Sequence, residues 1–242
     1  MRFAAAFFAV SALHAQFIMP TRDEMLRLTP QNPYGRFEDG RPKVPDALLE
    51  KVRTLSVDDV YDLLLAKQYP NQFAGGFEIL RPGVKLVGRA LTAQYLPFRP
   101  DLDAALDISA KQRGVGSRTT NKTIDLLQER DVPVIDLMGA APGNNYGGDN
   151  LHAAIYGISK TGAVVEGTIR DLEGMHEFPT QIYYRQARPE AVANVSVVGI
   201  NIPVRIGRAV VLPGDVVLGD RTGVVFIPPH LLDEILRENK KK

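Results

Sequence analysis

Hydrophobic spacing changes character several times along this chain, and each change marks a different kind of element. From Phe17 to Pro45 no period survives, because Pro20, Pro30, Pro33, Pro42 and Pro45 alternate with Gly35 and Gly40. Such a density of breakers predicts an extended arm, lying on a neighbouring subunit or trailing as a tail. Helical spacing begins at Asp46–Thr54, with Leu48, Leu49 and Val52 on one face. Ser56 is then placed to cap a second helix over Val57–Lys67, whose first turn carries Asp58 and Asp59. After Pro82-Gly83, the β-branched and apolar run Val84–Leu96 predicts a buried strand. Pro97–Asn121 is polar, broken by Pro100, Gly114 and Gly116, and carries Lys111, Arg113 and Arg118, which suits either a rim over a site or a surface excursion.

The centre of the chain is more regular. Thr123–Arg130 has a helical pattern, Val132–Met138 is a short apolar run ending at Gly139, and a helix over about Asn150–Lys160 stops at Gly162 before the strand Ala163–Ile169. Strand, helix, strand in that order predicts a βαβ unit with parallel strands and a right-handed crossover. Beyond Phe178 come short alternations, Gln181–Tyr184, Val195–Val198, Val204–Ile206, Ala209–Leu212, Val216–Leu218 and Val224–Ile227, punctuated by glycine and proline. These predict a β-rich second half forming its own sheet. Leu231, Leu232, Ile235 and Leu236 close the pattern with a last amphipathic helix. The fold class is therefore α/β: a sandwich with a βαβ unit and a β-rich second half.

Composition narrows the function classes. The 242 residues suit one substantial domain, with 45% hydrophobic and 24% charged residues in the usual globular range. Lys+Arg 29 against Asp+Glu 28 leaves +1, so no electrostatic footprint for nucleic acid is present. Cysteine is absent, which removes disulfides, a thiolate nucleophile and cysteine zinc sites. Met1-Arg2 followed by the apolar stretch Phe3–Leu13 reads as a secretory signal over residues 1–15, cut after Ala15 or after Ala12, or else as a buried N-terminal helix. The signal reading predicts export, an arm over 16–45 and a single domain over 46–242. No other run approaches membrane-spanning length, so no membrane association is expected after processing.

Two stretches carry the chemistry. Gly147-Gly148-Asp149-Asn150-Leu151 is a glycine turn running into a helix, whose unpaired N–H groups and positive dipole end favour a carboxylate or phosphate. Arg170-Asp171 closes the strand that follows, adding a fixed cation beside a hard oxygen ligand. Each alone is common as a helix cap or a surface ion pair. Their weight comes from topology, since both fall at the edges of one βαβ unit, where open α/β sheets place ligands. No dinucleotide fingerprint, P-loop, zinc-binding histidine pair or nucleophile elbow is present, and the histidines His152, His176 and His230 are read as structural or surface groups. Pro213-Gly214-Asp215 through Asp220-Arg221-Thr222-Gly223 reads as turn chemistry.

The order of Ser56-Val57-Asp58-Asp59-Val60, Gly147-Gly148-Asp149-Asn150-Leu151, the G-x-[IV]-R-D segment ending in Arg170-Asp171, and Pro213-Gly214-Asp215 through Gly223-Val224-Val225 resembles the RraA-like family. That family includes the class II 4-hydroxy-4-methyl-2-oxoglutarate and 4-carboxy-4-hydroxy-2-oxoadipate aldolases and the regulators of ribonuclease E activity. The resemblance covers roughly Pro45 to Leu236. It implies a β/β/α swivelling-domain fold, a homotrimer or hexamer with active sites between subunits, and a small 2-oxo acid as substrate. In the aldolase branch it further implies Asp171 as ligand of a divalent metal, Mg²⁺ or Mn²⁺. Arg170 together with the turn residues Gly148, Asp149, Asn150 and Leu151 would bind the substrate, with Asp149 and Arg170 acting in catalysis. The branch also draws an acid from a neighbouring subunit's C-terminal region, for which Glu234 and Glu238 are the stand-ins here. The expected reaction is metal-dependent C–C cleavage of a 4-hydroxy-2-oxo acid with release of pyruvate, with oxaloacetate decarboxylation as a related activity. The alternative is a non-catalytic oligomer that binds a carboxylate or a protein.

Overall fold

The computed structural model describes residues 19–116 and 120–239, so the expected signal segment and Arg118 lie outside the described residues. The arm is not extended throughout. Helix α1 (Arg22–Leu28) forms between Pro20 and Pro30, capped by a reciprocal pair in which the Glu24 N–H donates to Thr21 Oγ1 and the Thr21 N–H donates to Glu24 Oε2. The prolines sit outside the helix, where its hydrogen bonds do not need them. The rest of the arm, including the paired strands β1 (Gly35–Arg36) and β2 (Pro42–Lys43), is fastened to its own chain. Met25 is fully buried, Arg41 meets Asp131 at 2.7 Å, and the Asn201 side-chain amide donates to Asp39 at 3.1 Å.

Helices α2 (Asp46–Val52) and α3 (Val57–Ala66) lie where their periodicity places them. Ser56 caps α3 as expected, accepting from the Asp59 N–H at 3.1 Å. The short strands β3 (Phe73–Ala74) and β4 (Glu78–Ile79) lead to β5 (Leu86–Pro97), the longest strand. The polar excursion holds α4 (Pro100–Gln112) and α5 (Thr120–Asp125). The helical pattern read over Thr123–Arg130 is thus realised only to Asp125, since the Gln128 N–H turns to the buried Asp131 carboxylate instead of continuing the ladder. Strand β6 (Asp131–Asp136), helix α6 (Asp149–Ser159) and strand β7 (Gly162–Ile169) make the βαβ unit, with β6 and β7 parallel and adjacent. After the single turn α7 (Leu172–Met175) follow β8 (Gln181–Ala187), β9 (Val195–Ile200), the hairpin β10 (Val204–Ile206) and β11 (Ala209–Val211), β12 (Val216–Gly219), β13 (Val224–Ile227) and α8 (Leu232–Asn239).

The second half does not form a separate sheet. Among the described residues β8, β9, β12 and β13 join β5–β7 in one nine-stranded mixed sheet ordered β3-β13-β12-β5-β6-β7-β8-β4, with β9 also on β5, and of the second half's strands only the β10–β11 hairpin stands apart. β5 makes this possible through its length, pairing β12 along residues 86–89 and β9 along 93–97. Alternation along the buried β7 sends Val165 and Ile169 to a core under α4–α7, and Val164 to the opposite core under the hairpin. A third core joins α2, α3 and α8 to β12 and β13. With both faces covered, the sheet leaves the carboxyl ends of β6 and β7 as the place where irregular backbone and polar side chains gather.

Candidate active site

Gly148 is the N-cap of α6, in an extended conformation with no side chain to satisfy the helix. The first intrahelical bond is from the His152 N–H to Gly148 O. Among the described residues the N–H groups of Gly148, Asp149 and Leu151 meet no acceptor, and that of Asn150 meets only the Asp149 carboxylate, at 2.7 Å. This is a helix start with donors to spare.

The two motifs are tied directly. The Arg170 N–H donates to Gly147 O at 3.2 Å, while the Tyr146 N–H donates to Thr168 O and the Thr168 N–H to Asn144 O, both at 2.9 Å, docking the turn on the end of β7. Asp171 then adopts the left-handed conformation (φ 60°, ψ 42°) and its Oδ2 lies 3.3 Å from Arg170 Nε. Gly148 allows this close approach, because a Cβ at that position would overlap Asp171 Oδ2. Gly174 plays the same part for Asp149, whose carboxylate occupies the space a Cβ would fill.

A cleft of about 340 Å³ opens against this junction, walled by Gly147 to Leu151 and Arg170 on one side and by Thr120, Asn121, Ile124 and Val192 on the other. The residues named from sequence therefore converge, with one qualification of place. Asp171 lies across Arg170 from the cleft, facing a shallower depression with Leu172, Ala187 and Arg188. Glu234 and Glu238 do not join them; in this chain both pair with Lys67, at 2.6 and 3.4 Å, on the far helical layer.

Several lining groups escaped the sequence reading. Thr120 and Asn121 come from the polar excursion, so its rim role is realised through α5. Tyr146 lines the floor, its hydroxyl 2.9 Å from Thr123 Oγ1, and burial pushes its pKa up to about 12, so it stays protonated. Behind it His152 is fully buried, edge-on to the Tyr146 ring, with neither ring nitrogen partnered. Burial alone lowers it to about 3, keeping it neutral. For Tyr146 and His152 the available signal was adjacency to the glycine turn, and for Thr120 and Asn121 there was none beyond the excursion itself.

Among the described residues no three His, Cys, Asp or Glu side chains converge as a metal cage. The donor set fits a different kind of site. Asp171 offers a half-exposed carboxylate with one oxygen near Arg170 and the other without a partner among the described residues. Mg²⁺ takes one or two carboxylates and keeps several exchangeable positions for water and substrate, so a single anchor suits it.

A family model described as RraA-like, Aldolase/RraA, matches residues 57–226. The chain belongs to the RraA-like family. Within this RraA-like protein, 112 residues are 33% identical to a protein of Halalkalibacterium halodurans named "Putative 4-hydroxy-4-methyl-2-oxoglutarate aldolase", covering 46% of the chain and 53% of that relative. A second stretch of 81 residues is 30% identical to the 4-hydroxy-4-methyl-2-oxoglutarate aldolase of Thermus thermophilus, covering 34% of the chain and 49% of the relative. The chain thus spans about half the length of these two curated relatives. In fold it is similar to Streptomyces coelicolor RraAS2, described as an unusual member of the RNase ES inhibitor RraA protein family, with a TM-score of 0.71 at 23% identity over 86% of this chain and 94% of that one. The expected RraA-like α/β fold is therefore the observed one. The family holds both aldolases and inhibitors, and the choice between them rests on the site.

Proposed function

We propose that this RraA-like chain is a divalent-metal-dependent lyase that cleaves a 4-hydroxy-2-oxo acid and releases pyruvate. The observation that carries the reading is the junction at which unpaired α6 amides and Arg170 line one cleft while the Asp171 carboxylate stands against the turn on the other side of Arg170. An inhibitor that acts by surface contact has no use for that combination, whereas a 2-oxo acid uses every part of it.

The substrate carboxylate sits on the amides at the start of α6, where the helix dipole and free donors favour an anion. Arg170 faces the 2-oxo oxygen, and its fixed charge stabilises the enolate as it develops. Asp171 would hold Mg²⁺ or Mn²⁺, which when bound supplies Lewis-acid polarisation of the 2-oxo group. Asp149, on the cleft wall, takes the proton from the C4 hydroxyl as the C3–C4 bond breaks; the bond's electrons pass to C3, C4 becomes a carbonyl, and the pyruvate enolate is then protonated at C3. Asn150 fixes Asp149 by donating its N–H to one carboxylate oxygen.

The test is pyruvate release by the purified chain with Mg²⁺ or Mn²⁺ from a panel of 4-hydroxy-2-oxo acids and from oxaloacetate. Turnover is expected, falling roughly hundredfold or more in Asp171→Ala, in Arg170→Ala and on chelation. Turnover that survives both Asp171→Ala and chelation rules the mechanism out. Binding of pyruvate or oxalate with no turnover across the panel supports the non-catalytic alternative instead.

A further inference from the structure

A second cavity, of about 260 Å³, lies away from the cleft and is built by distant parts of the chain: the arm at Leu28–Asn32, Pro42, the loop residues Tyr69 and Gln72, the β11–β12 turn with Asp215, and Pro228–His230. Its walls are mostly apolar, from Leu28, Pro42, Leu212 and the two prolines before His230. Three polar features interrupt them. Asp215 is 3% exposed; one of its oxygens accepts from the Leu212 N–H at 2.8 Å, and the other has no partner among the described residues. Gln72 Oε1 is a buried acceptor that nothing satisfies. The Tyr69 hydroxyl and His230 Nε2 are 3.2 Å apart and satisfy each other.

A buried carboxylate with no cation beside it and a buried carbonyl with no donor make a site short of N–H groups and of positive charge. No lysine or arginine lines this cavity to supply them. The wall is not a loose tail either, since Arg36 clamps the arm by donating to Thr29 Oγ1, Thr29 O and Gly40 O at 2.8, 2.6 and 2.7 Å. We infer that this cavity is a binding site for a small organic cation with an apolar body, an amidinium or primary ammonium whose N–H groups reach Asp215 and Gln72 while its hydrocarbon part lies against Leu28, Pro42 and Leu212. Burial raises Asp215 to about 7, so a bound cation and an ionised Asp215 favour each other. His230 is also held below its ordinary value by burial and remains the neutral partner of Tyr69, leaving Asp215 as the charged group of the cavity near neutral pH. The site is independent of the lyase reading.

The probe is benzamidine, with neutral benzamide as its isostere, titrated calorimetrically into the full chain at slightly alkaline pH. One benzamidine per chain is expected at millimolar concentration or below, with benzamide roughly tenfold weaker or worse because it lacks the charge-assisted pair. Asp215→Asn keeps an acceptor for the Leu212 N–H, so the turn survives, and it should weaken benzamidine roughly tenfold. Val210, half-exposed on the hairpin at the cavity wall, provides a variant that does not touch the buried carboxylate; Val210→Trp should block binding with folding unchanged. Absence of saturable benzamidine binding, equal affinity for benzamide, or undiminished binding by the folded Asp215→Asn or Val210→Trp variant overturns the inference.

Discussion

At the scale of single residues, the proposed chemistry rests on how closely Asp171 approaches the glycine turn. Gly148 has φ −108° and ψ −161°, values any residue adopts, so alanine there strains nothing in the backbone. Its Cβ would nevertheless occupy the space of Asp171 Oδ2, so the Asp171 carboxylate has to swing away from the turn. Displacements near 1 Å at a reacting centre cost roughly hundredfold in rate. Gly148→Ala is thus expected to lower kcat/KM for pyruvate release by about that factor while reducing stability by less than about 3 kcal/mol, the usual range for overpacking at a tight contact. Steady-state kinetics beside a denaturant titration would separate the two effects; a variant of full activity would show that Asp171 need not stand where the turn holds it.

At the scale of elements, α3 shows how a local pattern and a distant residue share one helix start. Ser56 caps the Asp59 N–H, and Asp220 from the β12–β13 turn accepts the Val57 N–H at 2.9 Å and the Thr222 N–H at 2.8 Å. Asp220→Ala leaves the Val57 donor unpaired and opens the turn, so it is expected to cost about 1–2 kcal/mol in urea unfolding with pyruvate release unaltered. A loss no larger than at an exposed surface position would mean that solvent replaces the carboxylate without penalty. The Ser56 half of this arrangement is legible in the sequence, as is the βαβ unit, because period, cap and glycine stop all act within a few residues. The Asp220 half is not. For the same reason the second half was expected as a separate sheet: nothing in Val216–Gly219 names Leu86–Arg89 as its antiparallel partner, a pairing fixed only when β5 proves long enough to carry β12 and β9 in succession. Helix α1 is hidden by the proline density around it, although those prolines stand outside the helix and Thr21 supplies its cap. The site divides likewise, with Gly148, Asp149, Arg170 and Asp171 readable from two contiguous motifs, and Tyr146, Thr120 and Asn121 brought in only by the path of the loops between strands.

At the scale of the whole molecule, two buried groups set opposing dependences of stability on pH. His152 titrates near 3 in the folded chain against 6.5 when free, because burial disfavours its cation; the unfolded chain binds the extra proton between those values, so this residue makes stability rise with pH up to about 6.5. Asp215 titrates near 7 against 3.8, again through burial; here the folded chain holds the extra proton, and stability falls as pH rises from about 4 to about 7. Each slope is about 1.4 kcal/mol per pH unit at most, and between roughly pH 4 and 6.5 they cancel. The exposed carboxylates held low, Glu24 by hydrogen bonds from Thr21 and Asp101, Glu190 and Glu234 by Arg99, Arg188 and Lys67, are solvent-screened and add little. The raised Asp136 adds to the falling side and the lowered His230 to the rising side, so wild-type unfolding free energy should vary less across that window than in either single variant, and single substitutions should expose the hidden slopes in opposite directions. His152→Leu removes the rising contribution and leaves a protein that loses stability from pH 4.5 towards 6.5. Asp215→Asn removes the falling one and leaves a protein that gains stability over the same interval. Urea titrations at half-unit steps of pH would read both, and parallel curves for the two variants would show that these groups do not titrate from the buried states in which the fold holds them.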